Sequence, residues 1–181
     1  MRMCRPGSVA AAPVTIHCGG PGGAARRLVG VFTQVVVARR FTVSPVRAEG
    51  TFTTHEFTAV DVAPAFEVRT GTEVGVATME KRFSGDVDGR SATVFTAAFD
   101  QASGVGTYVA MESFDGSLGG VAGTFNFAHV ASTRGTDRLD ESFLLVPGSG
   151  TGGLAGIAGS GGMTIDADGT HRVWFDYTLG E

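Results

Sequence analysis

VPGSGTGGLAGIAGSGG, residues 146–162, decides how this chain is read. Eight of its seventeen positions are glycine, and it contains the spacing Gly148-x-Gly150-x-x-Gly153. That spacing is used to hold a dinucleotide pyrophosphate, and Asp168 stands twenty residues on, where a ribose-binding acid would be. A dinucleotide loop, however, must run into a helix, whose N-terminal amides and dipole hold the phosphates. Here Gly156, Gly159, Gly161 and Gly162 follow, and each glycine costs a helix about 1 kcal/mol relative to alanine. No lysine is placed for a P-loop either. The glycines therefore serve backbone curvature, and no cofactor is expected.

Working outward, alternation at period two recurs between turn signals from Ala48 onward. EVGVATMEKRF sets Val74, Val76 and Thr78 opposite Ala77, Met79 and Phe83. SATVFTAAFD gives one face with Thr93, Phe95, Ala97 and Phe99. TYVAMESF, GTFNFAHV, LDESFLLV, MTIDADG and THRVWFDYTL continue the series, with SGDVDG, QASG and STRGTD as turns. Leu118–Thr124 is echoed at Leu154–Ser160, which fits strands bending sharply where glycine relieves crowding. About eight or nine strands result, and no segment past residue 48 carries a helical stripe. An all-β domain is expected, spaced as in a sandwich or barrel.

Composition bounds the rest. The chain has 181 residues, 43% hydrophobic, enough for one core. Residues 1–47 carry seven arginines and no acid, whereas residues 48–181 carry seven basic residues against eighteen acidic ones, a net of −11. An acidic body lacks the Lys and Arg clusters that displace counterions from nucleic acid. No apolar run approaches a membrane span. Cys4 and Cys18 both fall in the basic segment and are expected as free thiols in a reducing, cytoplasmic compartment, with no metal site. Residues 1–47 read as a disordered basic extension, or as an upstream misplacement of the start, with Val43 as a candidate true start. Residues 48–181 are expected to form the single β domain, a barrel if the resemblance below holds.

The order of phrases carries a resemblance: GTF (50–52), F-x-GD-x-x-G-x-S (83–91), YVAMESFDG (108–116), GTFNFAH (123–129), VPGSGTGGLAGIAG (146–159) and H-x-x-x-x-DY-x-L (171–179). Together they resemble a family of small bacterial proteins known only as a domain of unknown function. That family is similar in fold to the allene oxide cyclase-like barrels, which also resemble plant dirigent proteins. The resemblance implies a closed antiparallel barrel of about eight strands with a largely apolar interior, often assembled as a homo-oligomer. It brings over no functional residue. Where the family phrase tends to carry a charge after GTGG, this chain has Leu154.

Several side chains are candidates for chemistry. Glu112 shares a face with Tyr108, Ala110 and Phe114, and burial against apolar walls would raise its pKa and suit it to acid–base work. The alternative is that it faces solvent. His129 follows Phe125 and Phe127 on one face; His171 shares a face with Val173, Phe175 and Tyr177. Each serves either as a base in a pocket or as a strand-end histidine satisfied by a carbonyl. Asp176 is expected to pair with an arginine such as Arg172. Ser149 is expected to bond its own turn. Three readings stand. The first is a barrel holding a small hydrophobic molecule among Phe95, Phe99, Tyr108, Phe125, Phe127 and Tyr177. The second is a cofactor-independent cyclase or isomerase using Glu112, His129 or His171. The third is a ligand-free structural or stress-related oligomer.

Overall fold

The computed structural model describes residues 44–180. The expectations for the basic segment, including Cys4, Cys18 and a start at Val43, lie outside the described residues. Eight strands follow one another: β1 (Val46–Val60), β2 (Val74–Gly85), β3 (Val87–Asp100), β4 (Val105–Leu118), β5 (Val121–Arg134), β6 (Asp137–Leu145), β7 (Ala158–Ile165) and β8 (His171–Thr178). Each pairs antiparallel with the next, and β1 pairs with β8 from Val46–Tyr177 to Phe52–His171, which closes the barrel. Closure leaves no sheet edge. The only helical piece among the described residues is a single 3-10 turn, Gly152–Leu154.

The glycine stretch does as its composition implies. Instead of running into a helix, residues 146–157 fold back over β5. Val146 N–H donates to the Asn126 carbonyl (2.8 Å) and Thr151 N–H to the Thr124 carbonyl (2.8 Å). Ser149 Oγ donates to the Val146 carbonyl (2.7 Å) and accepts from Asn126 N–H (2.9 Å), so it binds its own turn and the neighbouring strand. The loop presses Leu154 and Ile157, both buried, into one end of the barrel. Its tightness leaves no space for side chains: a Cβ on Gly150 would run into the Leu154 carbonyl oxygen. Curvature is handled in the wall. Gly89, Gly116 and Gly123 face one another across β3, β4 and β5, and the Phe114 ring lies within van der Waals reach over Gly116.

Inside that closed end, aromatic rings fill the space. Phe125 meets Phe114 at 5.0 Å, Phe175 at 5.4 Å and Phe127 at 5.9 Å between centroids. Leu118, Val87 and Val173 complete the packing. Burying such rings supplies most of the favourable free energy of a barrel this size.

Two β-bulges break the register. One lies in β1 between His55 and Thr58, where Glu56 has φ 51°. The other lies between Val130–Ser142 and Ser132–Leu139, where Asp140 has φ 53°. Strict alternation from Phe143 and Glu141 would turn Leu139 inward. The extra residue instead leaves Leu139 exposed and re-aims Arg138 into the barrel. Asp176 pairs with an arginine, as expected, but the arginine is Arg47 rather than Arg172. Asp176 stands opposite Arg47 in the β1–β8 register and pairs with it through two bonds, 2.8 and 2.7 Å, while Arg172 pairs with Asp166 at 2.6 Å. Arg172 shares the outer face of Asp176 but sits four residues away on the same strand, nearer the Asp166 turn.

Candidate functional site

Above the aromatic fill the interior turns polar. Inward alternation along β2 (Ala77, Met79, Lys81, Phe83) brings Lys81 inside, and the same alternation brings Ser91 and Thr93 in from β3, Glu112 and Tyr108 from β4, and His129 from β5. Glu112 is fully buried and Lys81 and His129 are each 5% exposed. Lys81 Nζ donates to Glu112 Oε1, and His129 Nε2 lies 2.7 Å from the same oxygen. Ser91 Oγ donates to Glu112 Oε2 at 2.5 Å. Lys81 Nζ also sits 4.8 Å above the Phe52 ring.

The cluster continues toward the end opposite the 146–157 loop, the open end, where Phe57 and Phe99 stand exposed. Tyr108 OH is 3.2 Å from His129 Nδ1, and Arg138 Nη2 donates to that phenol oxygen at 2.6 Å. Arg138 Nε donates to Glu141 Oε2 at 3.2 Å, and Glu141 Oε1 accepts from the Met163 N–H at 3.1 Å. Thr93 Oγ1 is buried without a partner among the described residues. Around the opening, Phe95 stacks on Tyr108 at 5.1 Å and touches Phe57 edge-on at 6.1 Å. Phe57 is 62% exposed and Phe99 44%.

Electrostatics follow from this arrangement. Burial alone would raise the Glu112 carboxyl, as the sequence reading expects, but the His129 hydrogen bond and the Lys81 charge outweigh it and bring the pKa down to about 2. The expected raised pKa is therefore reversed. The causes are a histidine and a lysine partner from two other strands. Burial, helped by the Lys81 charge, lowers the His129 pKa against the opposing pull of Glu112, so its imidazole is neutral near pH 7. Tyr108 is pushed up by burial, with Arg138 pulling the other way.

Because the Glu112 pKa falls from 4.5 to about 2 on folding, its contribution is complete above pH 4.5 and is lost as pH falls toward 2. A shift of that size is worth about 3 kcal/mol. His129 acts in the same direction, starting below its ordinary 6.5. Urea unfolding at pH 7, 5 and 3 is expected to show a Glu112-dependent loss of about 2 kcal/mol by pH 3, the rest following below it, and Glu112→Gln should remove the part between pH 5 and 3. A midpoint unchanged from pH 7 to 3 would contradict the charged pair.

Of the residues singled out from sequence, the structure joins Glu112, His129 and Tyr108 in one hydrogen-bonded group, with Phe95 and Phe99 at the opening beside it. Phe125 and Phe127 lie deeper, packed on protein on all sides. Tyr177 is at the opposite, closed end, where its hydroxyl donates to the Leu118 carbonyl at 3.3 Å. His171 is half-buried against Phe52, 5.0 Å between rings, and makes no hydrogen bond to the group. Lys81, Ser91 and Arg138 were missed. Lys81 was legible, since it alternates with Met79 and Phe83, whereas Arg138 was not, because a bulge places it.

Two depressions lie elsewhere, on the outer wall. One, of about 630 Å³, is lined by Thr78, Glu80, Val94, Met111 and Ser113; the other, of about 370 Å³, crosses β1 and β8 beside Trp174. Among the described residues no three His, Cys, Asp or Glu gather as a metal-binding group, and no helix is long and apolar enough to cross a membrane.

Fold and site together define a small closed β-barrel with an aromatic-filled end and a buried ionic group beneath an open end. The chain belongs to the family described as protein of unknown function (DUF3224), whose model matches residues 48–177. It is similar to a solved structure of a DUF3224-family protein of unknown function from Shewanella oneidensis MR-1, with 25% identity, a TM-score of 0.65, and coverage of 76% of this chain and 98% of that one. No curated protein matches.

Proposed function

We propose that the protein binds a small, mostly apolar molecule at the open end of its barrel. Its apolar body lies against Phe57, Phe95 and Phe99, and its polar end meets Tyr108 and Arg138. One observation carries this reading: a buried, mutually bonded group of Lys81, Glu112 and His129 lies directly beneath half-covered aromatic side chains. Buried ion pairs give little net stability over apolar packing, so a core kept for stability alone has no use for one. Buried titratable clusters beside exposed apolar side chains are a common setting for ligand sites. The expected similarity in fold between this family and the allene oxide cyclase-like barrels supports the reading by analogy alone. Phe125, Phe127 and Tyr177 take no part in it, because they are packed against protein or lie at the closed end.

The test is fluorescence titration with 1-aminoanthracene, an uncharged apolar fluorophore with one polar group. Saturable binding is expected, weakened at least tenfold by Phe99→Ser at the rim and unchanged by Val94→Ser on the outer wall. Equal loss in both variants, or no saturable binding, overturns the reading and leaves a filled, ligand-free barrel. The enzyme reading is favoured by a specific feature, the bond between His129 Nε2 and Glu112, which leaves Nδ1 as the acceptor facing the Tyr108 hydroxyl.

A further inference from the structure

The hydrogen bonds at the open end run in one direction. A carboxylate can only accept, so His129 Nε2 carries its proton toward Glu112 Oε1 at 2.7 Å. Nδ1 is then an acceptor, and the Tyr108 hydroxyl, 3.2 Å away, donates to it. The Arg138 guanidinium donates to the same phenol oxygen at 2.6 Å. If the phenol proton moves one bond, onto Nδ1, a phenolate forms against a guanidinium and an imidazolium forms against a carboxylate. Each new charge meets an opposite charge already in place, with Lys81 near Nε2 as the opposing charge, and the net charge of the group is unchanged. Such preorganisation is what lowers the cost of charge developing in a dry site.

We propose that Tyr108 is a catalytic acid–base group that exchanges a proton with an uncharged apolar ketone at the open end, with His129 and Glu112 as the pair that takes up and steadies its proton. This rests on the open end being the binding site, as read above. In the step, the C–H bond beside the carbonyl breaks and its proton passes to the Tyr108 phenolate. The C–H electron pair becomes the carbon–carbon double bond of an enolate, and the C=O π pair moves onto oxygen, where Arg138 donates a hydrogen bond. Return of a proton to the same carbon restores the ketone, and return to a conjugated carbon gives an isomer. No oxidant, reductant or cofactor is consumed. An uncharged substrate fits because Lys81 and Arg138 already balance Glu112 and Glu141. A ligand carboxylate would have to compete with Glu141 for Arg138.

The groups facing His129 set its pH response. Glu112 favours the imidazolium, while Lys81, 3.4 Å from Nε2, and Arg138 oppose it. His171 faces the interior near Lys81 and Arg138. Exchange should therefore fall as acid protonates His129 and the phenol loses its acceptor.

The experiment follows deuterium entry into 2-tetralone by NMR, using the full chain in deuterated buffer. Binding is scored separately by displacement of 1-aminoanthracene. Wild type and Tyr177→Phe, altered only at the closed end, are expected to raise the exchange rate at least tenfold above buffer. Tyr108→Phe and His129→Gln should each lose nine-tenths or more of that acceleration while 2-tetralone still displaces the fluorophore. His129→Gln should also flatten the acid limb of the pH profile, which a merely structural role would leave in place. Displacement with exchange at the buffer rate, or full exchange in Tyr108→Phe, overturns the relay and leaves the binding site standing. Fluorophore binding without displacement by 2-tetralone overturns the substrate class. If the fluorophore does not bind either, the binding site itself falls.

Discussion

Glu112→Ala is expected to cost the fold about 3–5 kcal/mol, measured by urea unfolding at pH 7. The truncation does more than delete an ion pair. It leaves Lys81, 5% exposed, as a buried cation whose remaining hydrogen-bond partner is His129 at 3.4 Å, beside the Phe52 ring. That nitrogen must first surrender its proton to become an acceptor. Ser91 also loses its acceptor, and an unpaired buried polar group costs about 1–3 kcal/mol. Removing both charges, as Lys81→Met with Glu112→Gln, should recover most of the loss, because neither buried charge is then left alone. The double-mutant cycle isolates that coupling. A Glu112→Ala protein within about 1 kcal/mol of wild type would mean that water reaches the site and the pair is not buried.

Phe125→Ala is expected to cost a similar amount, about 3–5 kcal/mol. Its ring is 1% exposed and sits between Phe114, Phe127 and Phe175. Three aromatic neighbours, fixed on β4, β8 and β5 itself, cannot collapse into the vacated volume, so a cavity remains. Phe99→Ala, at the rim and 44% exposed, should cost no more than about 1 kcal/mol. Thermal or urea unfolding of the two variants side by side measures the contrast. If both cost the same, the two ends of the barrel are not differently filled, and the distinction between packed base and open mouth is lost.

How much of this was legible in the residues follows from regularity. β3 with β4 and β4 with β5 pair without a slip, from Val87–Leu118 to Asp100–Val105 and from Leu118–Val121 to Val105–Arg134. Over such ladders, alternation alone places Phe95, Tyr108, Glu112, Phe125, Phe127 and His129 on the inner face. The all-β class was readable for the same reason; the choice of a barrel came from the family resemblance, and the absence of a helix after Gly153 from the run of glycines that follows it. Alternation gives the face of a residue but not its depth, so Phe125 and Phe95 looked equivalent although one is packed and the other borders the opening. It is also silent on partners across the interior. Lys81 had the right parity, yet a lysine read alone looks like a solvated side chain, and without it Glu112 appears to be a carboxyl raised by burial. Arg138 needed a bulge whose residues, Asp140 and Glu141, carry no turn signature that a single sequence shows.

The joint between β6 and β7 is thin. Only Leu144 and Ser160 are partnered along it, and the gap is bridged by the Glu141 carboxylate reaching across to the Met163 amide. The other oxygen of that carboxylate steadies Arg138, which in turn holds Tyr108. One acidic side chain thus works as both latch and lever. Should these two staves part, even briefly, the guanidinium would lose its anchor and the phenol its companion, so the soundness of the cask and the readiness of its mouth stand or fall together.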